Sequence, residues 1–112
     1  VIGPGRVVYV SGQLGVHRGK LVGAPGDFRA QTLQAFENVQ TALAAIGANF
    51  SHVVKMNSYL LDMTHLPILR EVRDRFLNTN APPASTTVEV PKLVREGAVF
   101  EIDVVAVLPA LG

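Results

Sequence analysis

Glu101 and Asp103 stand two residues apart in Phe100-Glu101-Ile102-Asp103-Val104. In an extended strand that spacing sends both carboxylates to the same face. Paired carboxylates do general acid–base work when burial raises the proton affinity of one of them. The ordinary alternative is pairing with Lys or Arg at a subunit contact, and Asp103 is read that way. For Glu101 both readings stand.

Other chemistry-bearing residues are less organised. His17, His52 and His65 have no metal-ligand spacing and are read as surface residues. With no cysteine, disulfides, thiol nucleophiles and thiolate metal sites are excluded. No bound metal is expected from these residues. Gly12-Gln13-Leu14-Gly15 matches the GxxG of an RNA-binding fold. There the motif joins two helices, and here it follows a strand, so the match is chance. There is no P-loop. The Ser85-Thr86-Thr87 cluster lacks a nucleophile elbow, and threonines suit a strand.

The elements that must carry these residues belong to one domain over residues 1–112. Hydrophobic residues make up 48% and charged residues 17%, enough apolar material for one core and too little charge for disorder. The formal charge of +1, with no block of one sign, leaves no electrostatic footprint for nucleic acid or an anionic membrane. No apolar run approaches the ~20 residues that span a bilayer, and a cytosolic location is expected. The chain opens directly on Val1-Ile2-Gly3-Pro4, so a longer N-terminus is expected ahead of it.

Arg6–Ser11 reads as a strand ending at Gly12, with Lys20–Val22 as its partner across a turn at His17-Arg18-Gly19. Asp27 caps a helix to residue 46, with Leu33, Phe36, Val39 or Gln40, Leu43 and Ile46 as its stripe and Gly47 as its stop. Val53–Leu61 is a strand. Val54, Met56, Ser58 and Leu60 take one face, and Val53, Lys55, Asn57, Tyr59 and Leu61 the other. Thr64 caps a second helix carrying Leu66, Leu69, Val72 and Phe76, with Arg70–Asp74 and Glu71–Arg75 as ion pairs. Strands follow at Ser85–Val90 and from Ala98 to Val107. The order ββαβαββ predicts an α+β fold, a mixed sheet with two helices on one face. The other face is half apolar, which calls for a closed homo-oligomer.

Several stretches together resemble the RidA/YjgF family, also labelled endoribonuclease L-PSP-like. They are Val10-Ser11-Gly12-Gln13, Gln31 with Asn38 and Val39, Val53-Val54-Lys55, Leu61-Asp62-Met63, Pro83-Ala84, Val88-Glu89-Val90 and Glu101-Ile102. The resemblance covers the whole chain. It implies a chorismate-mutase-like fold, a homotrimer, and a small-molecule ligand in a cleft between subunits. It also implies hydrolysis of reactive imines or enamines such as 2-aminoacrylate, without cofactor. By resemblance Gly12 supplies backbone contacts and Glu101 positions water. Thr87 is the small residue often occupied by cysteine, and Arg70 falls where deaminase members carry asparagine. The family's carboxylate-gripping arginine falls on Ser85. An N-terminal tyrosine of deaminase members has no match in Ile2-Gly3-Pro4.

A guanidinium is a fixed planar fork and a hydroxyl is not, so Ser85 counts against the standard 2-aminoacrylate substrate. Arg70 is the candidate replacement cation. Three functions are weighed: a RidA-type hydrolase or deaminase, a non-catalytic ligand-binding or regulatory trimer, and a ribonuclease. The last has neither a basic stripe nor a spaced histidine pair to support it.

Overall fold

The computed structural model describes residues 5–110, so the Ile2-Gly3-Pro4 segment lies outside them. Eight elements follow in chain order: β1 (Arg6–Leu14), β2 (Val16–His17), β3 (Lys20–Leu21), α1 (Phe28–Ala44), β4 (Val53–Leu60), α2 (Leu66–Arg73), β5 (Ala84–Glu89) and β6 (Phe100–Leu108). The main sheet has the order β1-β6-β4-β5. β6 runs antiparallel to both neighbours, and β4 and β5 are parallel, joined through α2. A parallel pair needs such a crossover because the chain must return to the same end.

The strand expected at Lys20–Val22 does not pair with β1. It forms a two-stranded hairpin with Val16–His17, outside the main sheet. The place beside β1 goes to β6 instead, whose nine residues match the length of β1. β1 itself runs through Gly12 to Leu14, with an irregularity in its pairing between Val10 and Gln13.

α1 forms as its signals dictate. Asp27 accepts a hydrogen bond from the Ala30 N–H, and Gly47 takes a φ of 76° beyond the helix end. Phe36, Val39 and Leu43 are buried as expected, Gln40 lies on the solvent face of the helix, and Ile46 is exposed because the helix stops at Ala44. The second helix departs further. Its first turn, Met63–His65, is a 3₁₀ turn capped by Asp62, and Thr64 donates its hydroxyl to that same carboxylate instead of acting as the cap.

The core lies between the helices and one face of the sheet. Phe36 is its centre, stacked within 6.1 Å of Phe50, Phe76 and Phe100. β6 contributes Phe100, Ile102, Val104 and Ala106, all buried, from one side of its pleat. β4 contributes Met56, Ser58 and Leu60. Val53, expected on the opposite face, is buried with this set, because the β4–β6 pairing shifts by one residue between Val53 and Lys55.

Two amides of α1 tie the sheet to the helix. Gln31 is 1% exposed; its Nε2 donates to the Gly97 carbonyl and its Oε1 accepts from the Val99 N–H. Asn38 Nδ2 donates to the carbonyls of Leu14 and Val16, at 3.0 and 2.9 Å. Gln31→Leu keeps the bulk of the side chain and orphans two part-buried backbone groups. It should cost about 1–3 kcal/mol per orphaned group, read from the urea midpoint, with Gln40→Leu on the exposed face near neutral. Equal effects for the two variants would rule out the tie.

Candidate active site

The exit of β1 and the entry of β6 bring Gly12 against Glu101. A Cβ built on Gly12 would lie 2.5 Å from Glu101 Oε2 and 2.8 Å from its Cδ. The carboxylate therefore occupies the space that a side chain at position 12 would need. Burial pushes the Glu101 carboxyl above its ordinary range, and the charge of Asp103 adds to that.

Asp103 is held differently from the expected Lys or Arg pairing. Asn57 Nδ2 donates to its Oδ1 and the Tyr59 hydroxyl donates to its Oδ2, each at 2.8 Å. The register explains this: Asn57 stands opposite Asp103, and Tyr59 opposite Glu101. Two neutral donors satisfy Asp103 without cancelling its charge, so that charge still acts on its neighbours. The Tyr59 hydroxyl is raised, first by its hydrogen bond to Asp103, then by burial and the two carboxylates. Sequence reading placed Lys55, Asn57 and Tyr59 on one face of their strand and the two acids on one face of theirs. It missed which pairs would meet, because that depends on register between strands over forty residues apart.

Ser85 and Thr87 lie elsewhere in the chain. β5 is an edge strand two places from β6, and Ser85 stands level with Met56, Thr87 with Ser58. Met56 and Ser58 belong to the helix-covered face, opposite the one carrying Glu101. Ser85 is exposed and lines a half-open pocket of about 400 Å³ with Arg73, Asp74, Leu77, Thr79 and Pro83. Thr87 is half-buried. A single chain thus brings Gly12 and Glu101 together and holds Ser85 and Thr87 apart from them.

Arg70 is exposed on α2 and does not line the Ser85 pocket. Its expected partner Asp74 lies 3.5 Å from Arg73 Nε, and Glu71 pairs with Arg29 of α1 at 2.8 Å instead of Arg75. The cause is local. Asp74 is the C-cap of α2 and its N–H still donates to the Arg70 carbonyl, but its carboxylate turns to the adjacent Arg73. His65 is also not a plain surface residue: its ring stacks on Phe28 with centroids 4.6 Å apart. Among the described residues no group of three or more His, Asp and Glu is placed to hold a metal ion, and no helix is long and apolar enough to cross a membrane.

An α+β chain with two helices over a mixed four-stranded sheet has counterparts among known proteins. The family model described as endoribonuclease L-PSP matches residues 1–108, and the chain belongs to this RidA/YjgF family. It is similar to Protein DfrA of Myxococcus xanthus, 39% identical over 103 residues that cover 92% of this chain and 77% of the relative. It is also similar to a 2-iminobutanoate/2-iminopropanoate deaminase of Dermatophagoides farinae, 33% identical over 81% of this chain and 73% of the relative. Among solved structures, RidA from an Antarctic Psychrobacter superposes with a TM-score of 0.85 at 34% identity, covering 96% of this chain and 85% of that one.

Two substitutions test the Glu101 environment. Gly12→Ala should leave the fold intact, because the added methyl meets the flexible end of Glu101 and not backbone; it should displace the carboxylate, read as a changed Glu101 titration by carboxyl NMR. Glu101→Gln removes a carboxylate whose folded-state pKa is raised, so it should stabilise the protein at pH 7. That gain should shrink on acidification and vanish below the unfolded value of about 4.3, where both states are protonated. A Glu101→Gln variant less stable than the parent at pH 7, in denaturant titration, would contradict the raised proton affinity.

Proposed function

We propose that this protein is a cofactor-independent hydrolase of the RidA type, acting on a small imine or enamine at Glu101. The observation that carries the reading is the Glu101 carboxylate set over Gly12 in an environment that raises its proton affinity. A carboxylate with a raised pKa is a better base for water near neutral pH. In the proposed reaction water attacks the C=N carbon while Glu101 takes its proton. Glu101 then returns the proton to the nitrogen of the carbinolamine. As the C–N bond breaks, the carbinolamine hydroxyl proton passes through Glu101 to the departing nitrogen, so that ammonia leaves and the carbonyl compound remains; an enamine enters the same sequence after tautomerising to its imine. The deaminase names of several relatives support this reaction class.

The separation of Ser85 and Thr87 from Glu101 within one chain supports a cleft shared between subunits. The open face of the sheet supports a homotrimer: Val7 is 51% exposed, Tyr9 79% and Val88 39%. Exposed apolar groups on a sheet face are covered at low cost by a second copy. Sedimentation should then give three times the chain mass of 12.0 kDa.

With Ser85 at the arginine position, the anchor for a substrate carboxylate at that point is a hydroxyl. Losing one side of a buried charged pair costs about 2–5 kcal/mol, so 2-aminoacrylate generated in situ should be turned over poorly compared with RidA. Glu101→Gln should lower any imine hydrolysis by about a hundredfold or more. Release of ammonia no faster than in buffer, across short imines with and without a carboxylate, would refute the enzyme reading. Ser85 equally favours a second reading, a non-catalytic ligand-binding or regulatory trimer. It predicts a ligand-induced rise in Tm with no turnover.

A further inference from the structure

The pocket beside Ser85 holds its own pair of opposite charges. Arg73 closes the last turn of α2, and its side chain is 26% exposed; that of Asp74, next to it, is 51% exposed. Both line the pocket that Ser85 enters from β5, with Leu77 and Pro83 as apolar walls. The nearest approach of the two charges is 3.5 Å, through Arg73 Nε. That is longer than a formed N–H···O bond and engages the side of the guanidinium, not its outer edge. A carboxylate can therefore meet that edge, where planar donors suit a two-oxygen acceptor.

A simple anion would feel repulsion from Asp74. A ligand carrying a cationic nitrogen near its carboxylate would satisfy both charges and leave the Ser85 hydroxyl a polar group to bond. We propose that Arg73, Asp74 and Ser85 form a binding site for a small zwitterion, its carboxylate on Arg73 and its cationic nitrogen on Asp74. Arg73, not Arg70, is then the cation that compensates for a serine at position 85. The proposal deepens the reading above by naming the ligand class on the Ser85 side of the site. It rests on that reading only for the link between this pocket and Glu101.

The test is a ¹⁵N-NMR titration of the whole chain with L-serine and, separately, propionate, following the amides of Leu77, Thr79 and Ser85. Serine should produce saturable shifts, and propionate weaker ones. Arg73→Gln should weaken serine binding roughly tenfold or more, Arg73→Lys should lose less, and Arg70→Gln should change it little. Asp74→Asn should weaken serine and strengthen propionate, a reversal that a merely structural role for Asp74 would not produce. The proposal is overturned if the parent protein shows no saturable shifts, if Arg73→Gln and Arg73→Lys both bind serine like the parent, or if Arg70→Gln gives the larger loss. Serine binding in this pattern alongside a silent imine assay would sustain this site and remove the hydrolase. Imine hydrolysis with no serine site would do the opposite.

Discussion

Two side-chain amides on one helix, Gln31 buried and Asn38 half-buried, hold the geometry of the main sheet. Gln31 binds the backbone on both sides of Ala98, just before β6 begins, and Asn38 binds the backbone at Leu14 and Val16, where β1 ends. They sit two turns apart on α1, so the distance between the start of one strand and the end of the other is measured out by a rigid helix. Gly12 and Glu101 lie two or three residues inside those anchor points. Their close approach is a consequence of backbone held by side chains that do no chemistry. Gly15 belongs to the same arrangement, since any side chain there would run into the backbone of Gln31.

β6 turns that frame into a two-sided device. It lies between β1 and β4, and its residues alternate strictly between buried and half-buried. One set of side chains fills the aromatic core around Phe36 and Phe100. The other carries Glu101 and Asp103 on a face with no helix over it. Burial on the first side fixes register, and register on the second side decides that Asp103 meets Asn57 and Tyr59. The electrostatics of the open face are in this sense set by packing on the closed one.

Much of this was legible in the order of residues. The alternation in Phe100–Ala106, the Asp27 cap and the Phe36, Val39 and Leu43 part of the α1 stripe depend on local chemistry, and each reappears in the structure. What was not legible depends on distant partners. Lys20–Leu21 looks like a strand and is one, but nothing local says that Val16–His17 would pair with it and β6 displace it from β1. The shift that turns Val53 inward arises in the pairing with Ala106 and Val105. The Arg70–Asp74 pair does not form although the backbone spacing is helical, because the Asp74 side chain turns to Arg73 instead. At the site, the carboxylates and Gly12 could be picked out by type and resemblance. Arg73 could not, because only the fold shows that the end of α2 faces the start of β5.

The exposure of β5 bears on how such a protein changes over time. Five of its six residues are exposed, and among the described residues its only sheet neighbour is β4. A side chain there makes few contacts that the folded state needs, so replacing it disturbs stability little. Glu101 and Gly12 sit within the braced part of the frame, where most replacements would be felt by their neighbours. The fold therefore separates a braced part, which holds Gly12 and Glu101, from an edge strand whose side chains tolerate replacement, and Ser85 lies on that edge.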